Sequence, residues 1–234
     1  MLLVLCASPR SWTRERRAAL AVHVVESTAP ALAWFGVLSA LLSLVVIRIV
    51  LVTAVSYGLS QYALEMMVRV LVLELIPLAA ALFGALRCTM PHGADLAALR
   101  AARGEWNTVG VLRGEVLPRV LAGVFAVLML AAVSCVLTLV IAYLSVYGFT
   151  AAGFAGYTRT VGHVFDPAVS LIFVLKVVFM SLAVSVIPIA SVLDDRARPP
   201  ARGSIELQAL VRMFMVLLLI EACLLYTSDA ADEL

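Results

Sequence analysis

Ionisable side chains are scarce in this sequence, and four of them fall inside apolar runs long enough to cross a bilayer: Arg48, Glu74, Lys176 and Glu221. A charge near the centre of a membrane helix costs on the order of 3 kcal/mol on insertion scales, so such a group faces a partner or a water-filled cavity. Arg48 and Glu221 lie towards the ends of their runs, where a long side chain can snorkel to the interface. Glu74 and Lys176 lie deeper. Glu74 stands in "RVLVLELIPLAAALFGALR", residues 69–87, three residues before Pro77. On a helix it shares a face with Ala81 and Ala85, and small residues there let a second helix approach closely. Lys176 is the single lysine of the chain, set between "SLIFVL" and "VVFMSL". A Glu74–Lys176 pair between the two runs would offset much of each insertion cost. Such a pair serves equally as glue between helices or as a polar patch in a transport cavity, and the residues alone leave both open.

No other chemistry is signalled. The sequence has no G-x-x-x-x-G-K-[ST], no H-E-x-x-H and no G-x-S-x-G, so no catalytic residue is expected, and ATP hydrolysis, where used, belongs to another chain. Cys6, Cys88, Cys135 and Cys223 lack C-x-x-C spacing, and His23, His92 and His163 are as scattered. No metal site is expected.

The elements that must position Glu74 and Lys176 follow from composition. Of 234 residues 64% are hydrophobic and only 14% charged, where a soluble domain is about a quarter charged. Mean hydropathy is +1.08. Residues 120–158 carry no charge. The chain reads as an all-α integral membrane protein with five spans, at about 31–56, 63–87, 118–146, 168–190 and 207–225. Before them, residues 10–28 combine Trp12 and four arginines with Leu20, Val22 and Val24, the pattern of an amphipathic interfacial helix, with a soluble helical extension as the alternative. The start "MLLVLCASPR" has no basic n-region and too short an apolar run for a signal peptide, and Leu5 spoils a lipoprotein site before Cys6. "CLLYTSDAADEL", residues 223–234, resembles a translated sequencing adapter. Setting aside its Asp229, Asp232 and Glu233 raises the net charge from +2 to +5 and leaves one domain over 1–222.

Arginines fix the expected orientation. They cluster before the first span, between the second and third (Arg87, Arg100, Arg103, Arg113, Arg119) and between the fourth and fifth (Arg196, Arg198, Arg202). By the positive-inside rule the N-terminus and these connections are cytoplasmic. In the first of them "GADLAALRAARG" reads as a short amphipathic helix. Asp95 is its expected N-cap, Leu96 and Leu99 share a face, Arg100 and Arg103 come late, and Gly104 is the stop. It suits either docking of a cytoplasmic partner or rest on the headgroups. Pro118 suits the first turn of the third span. On the far side, the aromatic and glycine-rich residues 147–167 suit a short interfacial helix.

"LELIPLAAALFGALR" resembles the second-span motif of the MlaE-type permeases, the membrane subunits of MCE-associated lipid ABC transporters: roughly R-E-x-x-P, a small-residue run, then G-R. Glu74, Pro77 and Arg87 match it. "LPRVLAGVFAVLML", with Pro118 and Arg119, resembles the family's P-R-x-x-A entry to the third span, and "LKVVFMSLA" places Lys176 on the family's lysine. The chain departs from the pattern at Leu73, where the family usually has arginine, and in a shortened connection that keeps only "TM" and "ADLAAL" of the family's stretches. The resemblance covers nearly the whole chain to Ala222. It implies a homodimeric permease in a bacterial inner membrane, served by cytoplasmic ATPase subunits that use the ATP, and by a periplasmic MCE-domain protein, with phospholipid as cargo. It places Glu74, Lys176 and Pro77 near a lipid cavity and Asp95, Leu96, Leu99, Arg100 and Arg103 in the ATPase-docking element. No cofactor in this chain and no nucleic-acid partner are expected. The rival readings are a non-transporting membrane scaffold and a permease for another small hydrophobic or polar solute.

Overall fold

Backbone polar groups inside a bilayer have no water to bond to, so apolar runs of this length close their hydrogen bonds within helices. The structure, a computed structural model, describes residues 14–59, 62–103, 116–194 and 202–232, and among them every regular element is helical. Helix α1 is Arg14–Ser56. A second, composite helix follows: α2 Ala63–Met67, a π-helical segment Val68–Leu75, α3 Ile76–Gly84, a second π-helical segment Ala85–Thr89, and α4 Met90–Arg103. Then come α5 Leu117–Tyr147, a 3₁₀ turn Ala151–Gly153, α6 Phe154–Val164, α7 Pro167–Asp194 and α8 Arg202–Asp232.

Among the described residues five stretches are long and apolar enough to cross a membrane: Thr28–Ser56, Ala63–Leu96, Leu117–Tyr147, Pro167–Ser191 and Leu207–Thr227. Four match the expected spans to within three residues at each end. The second extends past Arg87, because the helix does not stop there but continues into α4. The expected N-terminal helix is likewise joined to the first span. At 43 residues α1 is about 65 Å long, twice the hydrocarbon thickness, so its turns before Thr28 lie beyond the span. Residues 1–13 lie outside the described residues, and so do 104–115 of the connection.

The inward faces mix small and hydroxylated residues with a few bulky ones, Phe35 and Ile47 on α1 and Val120, Val127 and Leu130 on α5. In α1 they are Thr28, Ala31, Phe35, Ser39, Ser43 and Ile47, recurring about every four residues, while Leu41, Val45 and Val52 point outward. In α5 the buried set includes Ala122, Gly123, Ala126, Ala131, Ser134, Thr138 and Ala142. Lipid tails are as apolar as leucine, so tight approach, and not hydrophobicity, selects the inner face. Helix α5 packs on α1, α3 and α7, and α7 in turn carries α8 along its other side.

Gly58 and Gly148 follow α1 and α5 with φ of 71° and 68°, a left-handed conformation that glycine adopts at no steric cost. After α5 an aromatic cluster fixes the far-side turn. Tyr143, Tyr147 and Tyr157 stack and meet edge-on, and the Tyr157 hydroxyl donates to the Leu139 carbonyl at 2.7 Å. Burial, reinforced by Cys135 and Tyr147, pushes the Tyr157 phenol up to about 12, so it stays a donor at neutral pH. The far-side helix expected in residues 147–167 is α6.

Candidate functional site

The second span is wound in an unusual way, and its prolines explain where. Proline has no N–H and its ring presses on the carbonyl four residues back. Ahead of Pro77 the helix widens, and the N–H of Ile76 reaches back five residues to the Leu71 carbonyl. Ahead of Pro91 the same happens, with the N–H of Met90 donating to the Ala85 carbonyl. Each widened segment therefore closes on the residue immediately before a proline. A wider turn relieves the ring's clash without breaking the helix, whereas Pro30 in α1 and Pro188 in α7 are held without one.

Glu74 sits in the last turn of the first widened segment, and its carboxylate meets Lys176 of α7, whose Nζ donates to Oε2. Lys176 also pairs with Glu221 of α8, Nζ to Oε1 at 2.8 Å. The site is thus a three-membered ion cluster across three spans, with the ammonium in the middle. The expectation for Glu221 needs correction: it does not snorkel to an interface but turns inward to Lys176, because α8 packs with that face against α7. A depth count gives compatible levels and no more, since it does not say which way a side chain points. Glu221 lies six residues from Thr227 and Lys176 nine from Pro167, or about 9 and 14 Å from span ends on the same side. Glu74, eleven residues from Ala63, is about 16 Å in.

The three groups differ in exposure. The Lys176 side chain is 3% exposed, Glu221 18% and Glu74 31%. Glu221 Oε2 is buried without a hydrogen-bond partner. Glu74 opens into a shallow recess of about 10 Å³ between the second span, α7 and α8. Leu73, Val169, Ile172, Phe173 and Leu224 supply its apolar lining, with Glu74 and Lys176 as its polar members. That is room for about one water, far below the roughly 300–1,000 Å³ of ordinary ligand pockets, so one chain offers a shallow wall and not a closed cavity.

Pro77, Ala81 and Ala85 are buried. The alanines pack with Val127, Met180, Val184, Met213 and Leu217, joining α5, α7 and α8 just beyond the cluster. Pro118 occupies the first turn of α5 and is buried, Arg119 beside it is half-buried, and Arg87 is exposed.

Two members of the expected docking element change character. Asp95 is not an N-cap; it is exposed in the middle of α4, because the helix begins at Met90 in continuity with the span. Leu96 is fully buried among Val116, Val120 and Ile189 of the chain's own helices, so it anchors α4 to α5 and α7 and offers nothing to a partner. Leu99 is half-buried, while the side chains of Arg100 and Arg103 lie outside the described residues. Among the described residues no three His, Cys, Asp or Glu side chains gather as metal ligands.

A family model described as Permease MlaE matches residues 20–227. No curated protein matches the chain.

Proposed function

The chain belongs to the MlaE permease family, multi-pass membrane permeases of ABC-type transporters, and on that premise we propose that it moves phospholipid between the bacterial inner membrane and periplasmic MCE proteins. The observation that carries the reading is the ion cluster at the edge of an apolar recess, in the half of the membrane away from the arginine-rich connections. An aqueous solute path would need many polar side chains along the spans. Here one polar spot on an apolar wall suits an amphiphile, whose tails match Leu73, Ile172 and Phe173 and whose polar end reaches Glu74. Two copies facing each other would close the shallow recess into a cavity of lipid size.

Helix continuity gives ATP a route to the site. ATPase subunits on the cytoplasmic side would engage α4 through Asp95, Leu99, Arg100 and Arg103. Because α4 and the Glu74 turn belong to one composite helix, displacement at α4 is delivered to the cluster. The two widened segments are where such a helix has the least regular bonding and yields first. Lys176 then keeps Glu74 and Glu221 together in one arrangement and loses one of them in the other, which gives the cavity two shapes.

The test is reconstitution of the chain with its neighbouring ATPase and MCE protein in vesicles carrying fluorescent phospholipid. ATP-dependent transfer between vesicle and MCE protein is expected, together with stimulation of the ATPase by the permease. A chain that assembles but neither stimulates hydrolysis nor transfers lipid is a scaffold, and the proposal then fails.

A further inference from the structure

The ion cluster gathers two carboxyl groups and one ammonium from three spans, and its charges balance only when a proton is added. Lys176 Nζ meets Glu74 Oε2 from the second span and Glu221 Oε1 from α8. Both carboxyl groups reach the same nitrogen, so they stand beside each other. Two bare carboxylates at one site repel, and a single cation offsets only one of them. The other side chains around the recess, Leu73, Val169, Ile172, Phe173 and Leu224, bring no charge.

Burial sharpens the conflict. Lys176 is almost fully covered, and Glu221 Oε2 is buried with no donor to bond. An uncompensated charge in that setting is costly. A proton answers the charge and the missing bond together. A protonated carboxyl becomes a donor, and Glu74 lies within hydrogen-bonding reach of Glu221. A bond from a carboxyl to a carboxylate is of the short, charge-assisted kind.

We propose that the cluster is a proton-binding site, in which Glu74 and Glu221 share one proton and the three groups are neutral in sum. This goes beyond the lipid-permease reading and holds whatever the cargo is. The proton belongs to the pair and not to either residue, as it does in coupled carboxyl dyads. With one glutamate replaced by glutamine, the remaining carboxylate matches Lys176 one to one and needs no proton. Neutral in sum, the cluster opens or closes without carrying net charge through the membrane.

Infrared spectroscopy of the full chain, in an ester-free detergent at neutral pH and in light and heavy water, reads the proton directly. A protonated carboxyl has a C=O stretch apart from the carboxylate and amide bands, and it shifts on deuteration. The wild type is expected to show the band of a single buried carboxyl. Glu221→Gln and Glu74→Gln, each close in size to the native side chain and on different helices, should each abolish it. No band in the wild type means that both glutamates are ionised and overturns the proposal. A band unchanged in Glu221→Gln puts the proton on another group and overturns it too. A band lost in Glu221→Gln but kept in Glu74→Gln makes the proton the property of one buried glutamate, and sharing fails. Should one variant fold poorly, the wild-type band and the other variant still decide.

Discussion

The contact between α1 and α5 and the contact among the second span, α7 and α8 solve the same problem with opposite chemistry. The first mixes small side chains with Phe35, Ile47 and Leu130, and its one hydrogen-bonded side-chain pair among the described residues is Ser43 Oγ with Thr138 Oγ1 at 2.7 Å, both residues buried. Its polar groups are neutral and closed off, and Thr28 Oγ1 and Ser134 Oγ on the same inward faces are buried without a partner. The second holds a lysine between two glutamates and opens to the outside. A membrane protein needs only the first kind of contact to hold its helices together. The second kind is costly as glue, and that cost makes sense where the site must change partners or receive a ligand.

The largest effect should therefore come from Lys176. Lys176→Glu replaces the central cation with a third carboxylate, whereas breaking an ordinary buried ion pair already costs about 3–5 kcal/mol. The purified variant should unfold at clearly lower temperature than the wild type, and ATP-driven lipid transfer should be lost. Combining it with Glu74→Lys restores one cation against the central carboxylate, while leaving that carboxylate beside Glu221, and should recover part of the stability. A double variant no better than Lys176→Glu alone would show that the groups do not act as a direct pair, and the contrast with α1–α5 would collapse.

The same contrast explains what could be read in the sequence. Spans were legible because hydropathy and length are one-dimensional properties, and Lys176 stood out as the single lysine within a span of its own. Glu221 was not legible as a partner, since position along a helix gives depth but packing decides which way the side chain points. The long second helix was missed for another reason. Arg87 and Pro91 look like an ending, yet the widened segment ahead of Pro91 carries the helix through, and Leu96 is then drawn into the core. Proline marks a disturbed turn in sequence; whether the helix breaks or bulges depends on the neighbours that hold it.

A smaller effect is expected where the second span crosses α5 and α7 without charge. A Cβ added at Gly123 would lie 2.8 Å from Ser185 Oγ and 2.9 Å from the Thr89 methyl carbon. Overpacking of this kind costs about 1–3 kcal/mol. Gly123→Ala should lower the unfolding temperature by less than Lys176→Glu does, and Ser185→Ala in the same chain should return part of the loss by removing the closest atom. Ser185 Oγ has no hydrogen-bond partner to forfeit, which makes that relief inexpensive. Lipid transfer should fall if this crossing moves during the cycle. Unchanged transfer with reduced stability would place the crossing with the static contacts.

The smallest effect belongs to the hydroxyl pair. Ser43→Ala removes one partner of the 2.7 Å bond between α1 and α5. Interhelical hydrogen bonds in membranes average only about 0.6 kcal/mol in double-mutant cycles, because the unpaired group finds another acceptor. Thr138 has one at hand, the backbone carbonyl one turn back in its own helix. A cycle over Ser43→Ala, Thr138→Val and the double variant should give a coupling well under that of the Glu74–Lys176 cycle, with lipid transfer unaffected by either single change. Coupling as large in the neutral pair as in the charged one would mean that burial, and not charge, sets the strength of both contacts. The ion cluster would then lose its claim to be different in kind.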